Sequence, residues 1–325
     1  MNREAWYLRS VALTVLLVVG GRGAICEART FDAQVDETSV QVALDPAAFA
    51  LPADALVAWV TRSARAVAGF YGRFPVSAVR VQLISRPGRG VITGRTTARP
   101  NAVVRVLVGE ASDAADLARD WVMVHELVHL AFPSVAPEHA WIEEGLATYV
   151  EPLARLANGD VPVDTVWHDL LDGLPMGLPR AGDRGLDRTR TWGRRYWGGA
   201  LFCFRADLEI RRRTGNAKGL RDALRAIVEA GGNMSVRWPL ARALEIGDTA
   251  VGAPVLTELY QEMRESPAPL ELSPVFDALG VERVAGRIRL HDSAPLAATR
   301  RAIAPGETRG NADPAEIPRK FPTSR

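Results

Sequence analysis

Apolar and polar residues alternate from Ser39 to Leu44, with Val40, Val42 and Leu44 on one side, and this period of two predicts a half-buried strand. From Leu51 to Tyr71 the period becomes helical. Leu56, Val57, Trp59, Val60, Ala64, Val67, Ala68 and Tyr71 form one apolar stripe. Val79–Ile84 and Val103–Val108 predict two further strands, joined by a Gly-, Pro- and Arg-rich connection from Ser85 to Asn101. Ser112-Asp113 is a helix start, and the pattern then predicts one helix through Trp121 to about Phe132, where Pro133 stops it. A second helix begins near Glu138 and ends near Asn158. The stretch Val161–Thr191, rich in Gly, Pro and Asp, predicts a long surface loop. Trp197–Thr214, Leu220–Ala230 and Thr249–Glu265 predict helices, and the chain from about Ala294 carries no periodicity. Strands followed by a predominance of helices predict an α+β fold. Its expected parts are a lobe at 29–158, a mostly helical lobe at 159–291 and a disordered tail at 292–325.

The first residues have a different pattern. Arg3 and Arg9 lead into an apolar run, Val11–Val19, followed by Gly20, Gly21, Gly23 and Ala24. A basic start, a short apolar stretch and small residues predict a secretory signal over 1–28, and with it a secreted or periplasmic protein. The run is too short for a stable membrane span, which needs roughly 20 apolar residues. Removal of the signal would take Cys26 and leave Cys203 as the sole cysteine, within the apolar Ala200–Phe204 stretch, so no internal disulfide is expected. Charge excludes one class of partner. Lys and Arg number 40 against 38 Asp and Glu, a net charge of +2, and nucleic-acid binding calls for a clustered basic excess.

The chemistry is concentrated at His125-Glu126-Leu127-Val128-His129. Histidines four apart lie on one face of a helix, so both imidazoles can reach one ion. Glu126 cannot easily reach that ion, but it can reach a water beside it, which is the general-base arrangement of H-E-x-x-H metalloproteases. The surrounding residues Trp121, Val122, Val124, Leu127, Val128 and Leu130 are apolar, so the three polar groups sit in a largely buried helix and require partners. Catalytic zinc takes three protein ligands. Six residues after His129 stands Val135, not a third histidine, which leaves Glu143, Glu144, Glu151, His139 and His168 as candidates.

The segment Trp141-Ile142-Glu143-Glu144-Gly145-Leu146-Ala147-Thr148-Tyr149 resembles the second motif of the gluzincin metallopeptidases, the branch containing thermolysin and aminopeptidase N. The resemblance implies that Glu144 is the third ligand of one Zn2+, that Gly145 permits close helix packing, and that Thr148 orients a histidine. Tyr196-Trp197-Gly198-Gly199-Ala200-Leu201, Asp207–Arg211, Arg213-Thr214-Gly215 and Leu220–Arg225 are similar to the glycyl aminopeptidase family of that branch. This similarity implies that Tyr196 donates to the oxyanion of a tetrahedral intermediate. The first lobe is then expected to be zincin-type, a small mixed sheet plus the metal helix. The expected function is zinc-dependent hydrolysis of a peptide or protein substrate by metal-activated water, with Glu126 as base. The competing class is a catalytically silent zinc-binding envelope protein with a chaperone or substrate-binding role. One departure bears on specificity. Aminopeptidases of this branch carry an acid on the strand before the metal helix, where Gly90–Arg99 offers Arg95 and Arg99 instead, an edge suited to a carboxylate.

Overall fold

The computed structural model describes residues 29–45 and 49–306, so the expected signal segment at 1–28 lies outside the described residues. Among the described residues no helix is long and apolar enough to cross a membrane. The chain opens with an antiparallel pair, β1 (Arg29–Val35) and β2 (Thr38–Leu44), of which the alternation pattern revealed only the second. Helix α1 (Ala53–Tyr71) then crosses over to β3 (Ala78–Arg86), which pairs parallel to β2. The Gly- and Arg-rich connection contains a strand of its own, β4 (Val91–Thr97), before β5 (Val103–Gly109). β5 pairs parallel to β3 and antiparallel to β4, giving the order β1-β2-β3-β5-β4 with β4 as an edge. The expected connection is therefore corrected to the sheet's edge strand. Thr and Val within it suit a pleated surface, a preference the neighbouring Gly and Arg residues mask in sequence.

One face of this mixed sheet is apolar. Val40, Val42 and Leu44, Val79, Val81 and Leu83, and Val104, Val106 and Val108 are all buried there. They form one core cluster with Leu56, Trp59, Val60 and Val67 of α1 and with Met123, Val124 and Leu127 beyond it. Burying whole Val and Leu side chains in this way stabilises a domain by roughly 1.5–3 kcal/mol each before entropy is counted.

The single helix expected from Ser112 to Phe132 is two. α2 (Ala114–Arg119) is capped by Asp113 in a reciprocal capping box with Asp116, and Asp120 then takes an extended conformation that ends it. The Asp120 carboxylate accepts from the Val122 and Met123 N–H groups, which starts α3 (Val122–Val128), continued by a 3₁₀ turn over His129–Ala131. α4 (Ala140–Ala157) follows. The stretch expected to be a surface loop holds α5 (Val163–Gly173), amphipathic, with Val163, Val166, Trp167 and Leu170 buried. Beyond it come α6 (Gly199–Thr214), α7 (Leu220–Glu229), α8 (Leu240–Val251) and α9 (Val255–Met263). The helix expected at Thr249–Glu265 is thus divided at Gly252, which adopts a left-handed conformation, and Pro254. α10 (Leu272–Leu279), a hairpin of β6 (Val281–Val284) and β7 (Arg287–Leu290), and α11 (Ala297–Ile303) complete the described chain. α11 lies within the stretch expected to be a disordered tail. It is ordered because Ala297 and Ile303 are buried and the Arg300 guanidinium donates to the carbonyls of Leu279 and His291.

Candidate metal centre

α3 is buried along its whole length, and its backbone carries the His129 N–H to the His125 carbonyl. That hydrogen bond holds the two histidines one turn apart, and their rings sit 5.0 Å apart and nearly perpendicular. α4 crosses α3 and supplies the third group. Its position depends on two glycines. A Cβ on Gly145 would lie 2.3 Å from the Cα of Gly199, and one on Gly199 would lie 2.1 Å from the Trp141 carbonyl oxygen. The backbones of α4 and α6 therefore touch, and the chain entering α6 is drawn against Glu144.

Glu144 Oε2 lies 3.5 Å from His125 Nε2 and 3.4 Å from His129 Nε2. Of the five candidates for a third group, Glu144 joins the histidines, all three offering ligand atoms within 4.8 Å of one another. Glu143 is turned aside, its Oε1 accepting from the Val135 N–H at 3.0 Å. His139 Nδ1 meets Asp187 at 3.0 Å, His168 faces Asp172, and Glu151 accepts from Arg155 deep in the core. Thr148 does not orient a histidine as the resemblance implied. Its hydroxyl donates to the Glu144 carbonyl one turn back, and the buried His125 Nδ1 has no hydrogen-bond partner among the described residues.

Two further elements close the site. Edge strand β4 lies directly on Glu126. The Thr96 hydroxyl is 2.7 Å from Glu126 Oε2 and 2.8 Å from its carbonyl, and a Cβ on Gly94 would fall 2.4 Å from Glu126 Cγ. Only a glycine lets the strand pass so close. Since Gly94 and Thr96 face α3, strand alternation puts Arg95 on the opposite face, where it is exposed. The expectation that these arginines edge the site is thus corrected for Arg95, while Arg99 lies beyond the end of β4 and is exposed. Opposite β4 stands Tyr196, in a π-turn over Arg194–Gly198. Its ring stacks on Trp192 at 5.5 Å and lies parallel to His125 at 6.3 Å. Next to it, Arg195 places a guanidinium nitrogen 3.5 Å from Glu144 Oε1. Thr96, Gly94 and Arg195 had no signal of their own in the sequence. They reach the site through sheet topology and the α4–α6 contact.

Burial raises the Glu144 pKa, but the two imidazoles outweigh it and hold the carboxyl well below its usual range. Burial works against a charged His129, yet the nearby carboxylate of Glu144, with Glu126 and Glu143 behind, raises it. Burial and then the Glu144 charge push the Tyr196 phenol far above its ordinary value, so it remains a proton donor. The cluster is therefore rich in negative charge around two imidazoles. Tetrahedral ligands about 2.0–2.1 Å from a zinc ion stand about 3.3 Å from one another. The observed 3.5 and 3.4 Å separations are long for direct hydrogen bonds but close to that spacing. The donor set and its charge fit a divalent cation of the zinc type.

No protein-family profile and no curated protein matches the chain by sequence. Solved structures do. An aminopeptidase N family protein from Idiomarina loihiensis superimposes with a TM-score of 0.56 at 13% identity, over 79% of this chain and 50% of its own. A two-domain M1 zinc metallopeptidase variant bound to L-arginine gives 0.51 at 20% identity, over 75% and 53%. An M1 zinc metallopeptidase from Deinococcus radiodurans gives 0.50 at 19%, over 75% and 53%. The chain has the fold of these peptidases. It spans about half the length of each.

Proposed function

We propose that the protein is a single-zinc peptidase of the gluzincin kind, secreted or periplasmic, in which His125, His129 and Glu144 hold the ion. The observation that carries this reading is the convergence of two Nε2 atoms and one Oε2 at zinc spacing, with Glu126 excluded from the trio. Bound zinc acidifies water and polarises a carbonyl, which is what peptide hydrolysis requires. Thr96 anchors Glu126 Oε2, leaving Oε1 as the oxygen that takes a proton from the attacking water and passes it to the leaving amine. Tyr196, kept protonated, donates to the oxygen on which negative charge develops. The placement of Glu126 under Thr96 favours an enzyme over a silent zinc-binding protein, in which that carboxylate has no role.

Metal analysis and digestion of a peptide library test the proposal. Wild type is expected to hold one zinc and to cleave peptides. Glu126→Gln should keep the zinc and lose roughly a thousandfold or more in turnover. Activity surviving that substitution would sink the assignment.

A further inference from the structure

Beside the metal trio, on the Tyr196 side, lies a cavity of about 1000 Å³. That volume is at the upper end of the range for ligand sites, roughly 300–1000 Å³. Its walls are Met176, Leu178, Trp192 and Tyr196, and Trp192 is 41% exposed there. An exposed indole stacked on a tyrosine at the mouth of a site is a recognition surface rather than core. The charged lining is almost all of one sign: Arg180, Arg190, Arg194 and Arg195 against Asp183. Asp183 is spent. Its carboxylate, 1% exposed, pairs with the buried Arg194 at 2.8 Å, and Arg194 also donates to the Gly177 carbonyl. Arg195 is turned toward Glu144. Arg180 and Arg190 are exposed, and neither forms an ion pair among the described residues. A free amine entering this cavity meets no available carboxylate, whereas an anion meets guanidinium groups on its walls.

We infer that this cavity selects peptide substrates carrying a carboxylate near the scissile bond, through Arg180 and Arg190, with an apolar side chain lying against Trp192. The inference rests on the peptidase reading above, since it assigns the substrate class of that same site. Guanidinium is the side chain best matched to a carboxylate, two parallel N–H groups meeting two oxygens. A cleft of one sign with apolar walls strengthens that attraction relative to open water. The carboxylate has two possible sources, an acidic side chain or the chain's own C-terminus, and both offer the same two oxygens.

The test measures binding without turnover, by titration calorimetry on the full chain carrying Glu126→Gln. The probes are acetyl-Leu-Ala-Glu-Ala-amide, acetyl-Leu-Ala-Ala-Ala with a free C-terminus, and the neutral acetyl-Leu-Ala-Ala-Ala-amide. At least one carboxylate probe is expected to bind about tenfold more tightly than the neutral one. Preference for the first identifies an acidic side chain, and preference for the second identifies a C-terminal carboxylate. Repeating the titration after chelation removes any carboxylate binding to zinc, and the advantage should persist. It should disappear in the Arg180→Gln, Arg190→Gln chain and return in part with lysine at both positions. Equal binding of all three probes would overturn the inference, as would an advantage unchanged by the double glutamine substitution. Because no turnover is read, loss of hydrolysis for other reasons leaves this result interpretable.

Discussion

The trio of His125, His129 and Glu144 and the Arg-lined cavity beside it meet at Tyr196, yet they are built in opposite ways. The trio stands on α3, with the turn that continues it, and on α4, which is fixed in turn where its backbone touches that of α6 at Gly145 and Gly199. The cavity wall is mostly irregular chain between Leu178 and Gly193, held by side chains. Asp187 accepts from Trp141 Nε1 and Tyr260 Oη and meets His139, while Asp183 pairs with Arg194. Helices place a donor to within tenths of an ångström. Side-chain ties on an irregular segment can be rewired without moving the helices beneath. On the proposed reading, the difference teaches where variation is tolerated: the chemistry would belong to the rigid pair of helices, and choice of substrate to the tied segment.

The largest effect expected from breaking this division is at Arg194. Replacing it by Met leaves the Asp183 carboxylate buried and unpaired, a change that typically costs about 3–5 kcal/mol. Arg194→Met should therefore lower the thermal midpoint by roughly 10 °C, a loss that Asp183→Asn in the same chain partly restores. Zinc content should not change, because no ligand is on the tied segment. Calorimetry together with metal analysis reads both at once. Loss of zinc in step with stability would show that the two regions are one unit.

A smaller effect is expected where the regions meet. Tyr196→Phe keeps the ring stacked on Trp192 and removes only the hydroxyl. Loss of one donor to a developing oxyanion costs about a hundredfold in kcat. Zinc content and the thermal midpoint should stay near those of wild type, and KM should change little. A fall in KM-linked binding with kcat intact would place Tyr196 in the cavity's work rather than in the chemistry.

The same contrast explains what the sequence made legible. His125 and His129 share a helical turn, and apolar neighbours announce that the turn is buried, so the centre of the site is written in the five-residue stretch from His125 to His129. Glu144 stands beside Glu143 in an apolar pattern that does not separate them. The separation comes from the chain folding back, which offers the Val135 N–H to Glu143. Thr96 and Gly94 are legible only once β4 is known to be an edge strand running over α3, a matter of topology and not of local pattern. α5 was hidden because it ends on Gly173 and is followed closely by Pro175 and Gly177. Those glycines serve the packing, since a Cβ on Gly173 would lie 1.9 Å from the Trp197 ring. Composition suggested a loop where close contact requires small residues inside a folded element.

The smallest effect is expected on the helical side, at the start of α3. Asp120 is half-buried, and burial raises its pKa to about 6, against the lowering influence of the Met123 and Val122 N–H groups and of Arg155. A carboxyl whose pKa is higher in the folded chain than in the unfolded one binds its proton more tightly when folded. Its contribution to stability is present below the usual value of 3.8 and is lost as pH rises through about 6. Above that pH the folded protein carries an ionised, poorly hydrated carboxylate at the head of α3. Asparagine caps a helix as well as aspartate does and carries no charge. Asp120→Asn should therefore raise stability by about 1–2 kcal/mol at pH 8 and by little at pH 4, measured as thermal midpoints of the chelated chain. An equal gain at both pH values would trace the effect to the cap's geometry. A gain confined to high pH would show that even the regular side of the site bears an electrostatic cost, one that falls on the helix carrying both histidines.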